Sequence, residues 1–170
     1  MTPKILIAGI GNIFLGDDGF GVEVVQKLLR RKLPDGVRVV DFGIRGFDLV
    51  YALLEPYDAT ILVDTMPQGG APGTLYTMEP DLSDLLSSDF HEVVIETHAM
   101  NPMRVLEMVK VMGGHFKRLL LVGCEPATLG PEAGQMGLSE PVQAAVDEAV
   151  RLIESLVMDI LGSERRHARL

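Results

Sequence analysis

The 170-residue sequence predicts an α/β fold, a mostly parallel five-stranded sheet with one antiparallel edge strand. Three observations predict it. Short apolar runs of strand length alternate with segments of helical periodicity, and a glycine-rich loop joins the first run to the first helix. The apolar fraction of 47% supplies core material for both faces of a sheet.

Taken in order, residues 4–8 (KILIA) read as a buried first strand, followed by the loop GIGNIFLGDDGFGV at 9–22. Val22, Val25, Leu28 and Leu29 place a first helix at about 18–32, which the turn Pro34-Asp35-Gly36 closes. Residues 37–42 form the second strand, broken by Gly43. Phe47, Leu49, Val50, Leu53 and Leu54 mark a second helix that ends before Pro56, and 59–64 form the third strand. The loop at 67–73 is too short for a crossover helix, so the strand at 74–79 is predicted to run antiparallel at an edge.

Residues 80–97 carry the weakest pattern: 81–86 fit a short helix, and 92–95 fit either state. Asn101-Pro102 reads as an N-cap with proline at the first helical position, before Val105, Leu106, Val109 and Met112, and Gly113-Gly114 as the stop. A strand at 118–123 follows. The last helix is capped by Ser139 and accommodates Pro141 in its first turn. It has one apolar face made by Val142, Ala145, Val146, Ala149, Ile153, Leu156, Val157 and Ile160. One domain is expected over 1–162, with the charged tail SERRHARL at 163–170 expected to fray.

A formal charge of −9 argues against nucleic acid, whose phosphates need a basic footprint. The single cysteine, Cys124, excludes an intramolecular disulfide and a cysteine-based zinc site; at a strand end it reads as a small buried thiol. No basic n-region, signal h-region or 18-residue apolar run is present, which predicts a soluble cytoplasmic protein.

In open α/β sheets, ligands collect beyond the carboxyl ends of the parallel strands. Asp17 and Asp18 follow the first strand, Asp41 ends the second, Asp64 ends the third, and His98 precedes a helix leading to the next parallel strand. A dinucleotide site would use Gly9-Ile10-Gly11 for phosphate and Asp41 for ribose. Its third glycine position, however, holds Phe14, and Asp17 with Asp18 would repel a pyrophosphate. A cation site of Asp18, Asp64 and His98 suits a borderline first-row ion such as Zn, Mn, Fe, Co or Ni. In the competing structural reading Asp17 and Asp18 cap the first helix, Asp64 caps a turn and His98 is a hydrogen-bonded histidine. On residue types alone both stay open. Ser87-Ser88 has no nucleophile-elbow context, His91, His115 and His167 lie in polar surroundings, and Arg45 is either a substrate-carboxylate contact or a solvated arginine.

The pattern G-x-G-N-x-x-x-x-D-(D or E)-x-x-G-V, here residues 9–22, resembles the N-terminal signature of the hydrogenase maturation endopeptidases, which process the large subunit of nickel–iron hydrogenases. Later anchors occur in order: Asp41-Phe42-Gly43 with Gly46, Val63-Asp64, Ala71-Pro72-Gly73, Thr97-His98, Gly123-Cys124-Glu125-Pro126 and Gly137-Leu138-Ser139. The resemblance spans nearly the whole chain. It implies a three-layer α/β/α sandwich and removal of a short C-terminal peptide from the large-subunit precursor once its metal centre is inserted. The family's three proposed nickel-contacting positions fall on Asp18, Asp64 and His98; the first is often Glu in relatives, and Asp18 is one methylene shorter. Asp41 matches a further acidic position linked to activity. Nickel is then expected on the substrate rather than permanently on the protein, which is expected to be a monomer. Two other readings carry different expectations, a non-catalytic nickel-sensing checkpoint for the same precursor and a nucleotide-binding oxidoreductase.

Overall fold

The computed structural model describes residues 2–83 and 101–167; the expectations for 84–100, His98 and His91 among them, lie outside the described residues. The element order is β1 (Ile5–Ile10), a 3-10 turn (Gly16–Gly19), α1 (Phe20–Leu28), β2 (Val37–Gly43), α2 (Gly46–Leu53), β3 (Ala59–Thr65), β4 (Leu75–Met78), α3 (Pro102–Val111), β5 (Leu119–Cys124) and α4 (Glu140–His167). Among the described residues the strands form one sheet in the order β2-β1-β3-β5-β4. The pairs β1·β2, β1·β3 and β3·β5 are parallel, and β4 pairs antiparallel with β5. The antiparallel strand follows from its short connection, as expected.

Continuous apolar runs occur where a strand buries both faces. In β1, Ile5 and Ile7 join one core with Ile61, Val63 and Val122 under α1 and α4, while Leu6, Ala8 and Ile10 join a second core under α2 and α3. Alternate residues of one strand thus serve two layers, and the result is an α/β/α sandwich. The α4 face predicted from periodicity is buried except for half-buried Leu156. Asn101 caps α3 through its side-chain oxygen, which accepts from the Met103 N–H at 2.9 Å.

Several assignments differ from the periodicity. The first helix starts later, at Phe20, because a 3-10 turn carries both aspartates. Leu29 and Phe47, assigned to apolar stripes, are 52% and 70% exposed. Leu29 lies one residue past the end of α1. Phe47 lies in the first turn of α2, where with Ile44, Val105 and Met108 it lines a cleft of about 250 Å³. At the other end of the chain α4 runs on through Ser163 to His167.

Candidate active site at the carboxyl ends of β1 and β3

The chain leaves β1 to build β2 on one side and then returns to build β3 on the other, so the strand order reverses at β1. A crevice forms at such a switch point, beyond the carboxyl ends of the strands. Two glycines let the loop enter it. Gly11 has φ +142°, and a Cβ there would overlap the carbonyl oxygen of Asp18. A Cβ on Gly21 would run into the carbonyl oxygens of Val63 and Ile10, so α1 can start against β1 and β3 only with glycine at this point.

The two adjacent aspartates point to different partners. Asp17 is fully buried and faces the β5–α4 connection. Its Oδ2 accepts from the N–H groups of Ala127 (2.8 Å) and Thr128 (3.0 Å) and from the Ser139 hydroxyl (2.8 Å), and its Oδ1 accepts from the Ser139 N–H (2.7 Å). Asp18 turns toward the crevice. Its Oδ2 accepts from the Asn12 N–H at 2.9 Å, and its Oδ1 lies 3.3 Å from the Thr65 hydroxyl. Neither side chain caps the turn it stands in. Ser139, predicted to cap α4 with its side chain, instead sends its hydroxyl to Asp17, while its carbonyl accepts from Gln143 N–H.

Asp64 arrives at the same place from β3. Its Oδ1 accepts from the Thr65 N–H at 2.7 Å and lies 3.5 Å from the Thr65 hydroxyl. One hydroxyl therefore stands between the carboxylates of Asp18 and Asp64. Burial, and then the neighbouring charge of Asp18, raise Asp64 well above the ordinary carboxylate range. The second oxygen of Asp64 accepts no hydrogen bond from a described residue.

Asp41 is placed apart from this pair. It is paired with Gly9 across β1·β2, so β1 separates it from β3, and its Oδ2 accepts from Gln26 Nε2 at 2.9 Å. Arg45 forms an ion pair with Asp48 at 3.1 Å and donates to the Asp41 carbonyl.

Two alternatives meet direct structural objections. A phosphate cradle needs free N–H groups in the β1–α1 loop. Here those of Gly11, Asn12, Phe14, Leu15, Gly16, Asp17 and Asp18 are all bonded within the protein, to Gly43, Asp18, Asn12, Asn12, Gln135, Thr128 and Leu15 respectively. A thiol nucleophile would have to be Cys124, which is fully buried; burial, with the charges of Asp17 and Glu125, pushes it up to about 12.

Three contributors had no role assigned from the sequence. Asn12 supplies the N–H that holds Asp18 and also makes an Asx turn to Phe14 N–H at 2.9 Å. Thr65 bridges the carboxylates. Glu125, almost fully buried, holds the β3–β4 loop beside the site by accepting from Gln68 N–H (2.7 Å), Gly69 N–H (3.1 Å) and the Tyr76 hydroxyl (2.9 Å). Burial alone would raise Glu125, but these bonds outweigh it and hold it below its ordinary value. An asparagine after a glycine is a local turn signal; the roles of Thr65 and Glu125 have no local signature.

The hydrogenase maturation protease (HycI) family model matches residues 22–156, which include Asp41 and Asp64. The hydrogenase expression/formation protein HupM of Azotobacter chroococcum mcd 1 is 36% identical over 152 residues, covering 89% of this chain and 70% of that protein. Among solved structures, the hydrogenase maturating endopeptidase HybD from E. coli superposes with a TM-score of 0.73 at 28% identity, covering 92% of this chain and 93% of that one. A hydrogenase 2 maturation peptidase from a Thaumarchaeota archaeon gives a TM-score of 0.69 at 32% identity, covering 91% and 97%. The chain belongs to the hydrogenase maturation protease family.

Proposed function

We propose that this protease removes a short C-terminal peptide from the nickel-loaded large-subunit precursor of a nickel–iron hydrogenase. Nickel arrives on the substrate, and Asp18, Asp64 and His98 complete its coordination. The observation that carries this reading is the meeting of Asp18, from the 3-10 turn after β1, and Asp64, from the end of β3, with one oxygen of Asp64 unclaimed by any described residue. Two carboxylates in such proximity repel each other in a partly dehydrated crevice, and a cation between them removes that repulsion. Carboxylate oxygens with an imidazole form a ligand set suited to a borderline first-row ion.

Capture of the ion fixes the scissile bond in register. Nickel then polarises the scissile carbonyl, or a carboxylate activates the attacking water. The buried, hard-to-ionise Cys124 supports a mechanism without a thiolate. Asp41, one strand further out on the same edge, is assigned to the peptide rather than to the ion. The reaction is placed in the cytoplasm, with the protease a monomer so that the strand-end face is open to the precursor. Among the described residues no helix is long and apolar enough to cross a membrane.

The test is intact-mass spectrometry of a large-subunit precursor, nickel-loaded and nickel-free, incubated with this protein. The expected result is loss of one C-terminal peptide from the loaded form only. The single variants Asp18→Ala, Asp64→Ala and His98→Ala are expected to abolish that loss while still melting cooperatively. Binding of the loaded precursor without cleavage would instead identify a non-catalytic nickel-sensing checkpoint. Equal cleavage of both forms would remove nickel from recognition.

A further inference from the structure

We infer that Thr65 is a positioning residue: its hydroxyl, held between Asp18 and Asp64, orients both carboxylates toward the cation that the substrate brings. This rests on the proposal that the pair meets substrate-borne nickel.

The geometry is specific to this side chain. The Thr65 hydroxyl lies 3.3 Å from Asp18 Oδ1 and 3.5 Å from Asp64 Oδ1, while the Thr65 N–H donates to that same Asp64 oxygen at 2.7 Å. A hydroxyl has one proton and two acceptor lone pairs. Set between two carboxylates, it places its proton where their negative charges face each other. Its position is well defined. Thr65 is the last residue of β3, in register with Cys124, and the next N–H, that of Met66, donates to the Cys124 carbonyl at 2.9 Å. A β-branched side chain on fixed backbone has few χ1 options.

Asp18 depends on it most. Of its two oxygens, Oδ2 is held by the Asn12 N–H on a tight loop, and Oδ1 by Thr65 on the neighbouring strand. Without the hydroxyl, one anchor remains and the carboxylates repel each other across the vacated position. Each captured ion would then have to reorder Asp18. Asp64 keeps its backbone bond from Thr65 in any variant at this position, so the loss falls on the relation between the two acids. Partners that orient metal-contacting groups in this way are typically worth about 10- to 100-fold in affinity or activity.

The experiment compares Thr65→Val, Thr65→Ala, Thr65→Ser and Asp64→Asn with the wild type. Thermal melting is measured first, then the concentration dependence of cleavage of nickel-loaded precursor, and then binding to loaded and nickel-free precursor. Valine keeps the shape and the strand preference of threonine but removes the hydroxyl; alanine replaces it as the probe if the valine variant misfolds. The expected result is a loss of about 10- to 100-fold in kcat/KM without the hydroxyl. The affinity advantage of loaded over nickel-free precursor should shrink in parallel, and Thr65→Ser should restore both to within about threefold of wild type. Wild-type kcat/KM in folded Thr65→Val or Thr65→Ala would overturn the inference, as would a folded Thr65→Ser no better than they are. Asp64→Asn separates the two levels. Full cleavage by that variant defeats the nickel-contact proposal itself, whereas an inactive Asp64→Asn beside a fully active Thr65→Val defeats only the role of Thr65.

Discussion

At the scale of single residues, Asp17 and Asp18 show how one peptide bond can divide structural from chemical work. Both are acids in the same 3-10 turn, yet Asp17 is enclosed by donors while Asp18 shares a hydroxyl with Asp64. The strain in this arrangement falls on Asp64, raised first by burial and then by Asp18. Its consequence for stability has a definite sign. With the folded-state pKa above the unfolded value, the folded protein retains a proton that the unfolded chain releases. The stability this confers is fully present below the unfolded pKa and is lost as pH rises through the folded one. Asp64→Asn carries no charge at any pH, so it should melt higher than wild type at neutral pH. The difference should close below about pH 4, where the carboxyl is protonated in both states. Thermal melts across that range check it; an unchanged or lower melting temperature at neutral pH would show that the carboxylate has a compensating partner.

Among the elements, the placement of α1 decides whether a site exists. Its first turn lies against β1 and β3 because Gly21 has no side chain to meet the carbonyls of Ile10 and Val63. Behind it, Phe20, Val24, Val25 and Leu28 bury into the core shared with α4. Gly21→Ala would either push α1 outward or compress the two strand ends, at a cost of about 1–3 kcal/mol or more. Urea unfolding reads that cost. Because Phe20 directly follows the turn that holds Asp18, the same variant should also lose cleavage more steeply than stability. A Gly21→Ala protein with wild-type stability would mean that α1 can retreat freely.

For the whole molecule, Asp17 is a long-range staple. It joins the loop after β1 to residues 127, 128 and 139, more than a hundred positions later, and so ties the start of α4 to the site. Parallel bonds from Gly16 N–H to Gln135 carbonyl and from Gln135 N–H to Phe14 carbonyl, each 2.7 Å, close the same seam. Asp17→Ala would leave three backbone N–H groups and a hydroxyl without their acceptor; Ala127 and Thr128 are exposed and Ser139 is half-buried, so water takes up part of the loss. A fully buried orphan costs about 1–3 kcal/mol, and for this partly hydrated set a total of about 2 kcal/mol is expected from denaturant unfolding. A loss under about 1 kcal/mol would mean that water or a local shift replaces the carboxylate.

Strand and helix identity came largely from local pattern. The runs at 59–64 and 118–123 needed only hydrophobic continuity, Asn101-Pro102 stated its own cap, and the short loop at 67–73 dictated the reversed direction of β4. The acids at strand ends were also legible, because the carboxyl edge of a parallel sheet gathers the residues that follow each strand. Which acids meet was not. Asp41 and Asp64 end similar runs, yet the order β2-β1-β3-β5-β4 sets one beside Gln26 and the other beside Asp18. Nor could the chain alone reveal that Asp17 is structural, that Thr65 stands between two carboxylates, or that Glu125 fastens a loop. Periodicity reports how each segment faces the core. Pairing between distant loops is a property of strand order and register, and only the tertiary structure decided it.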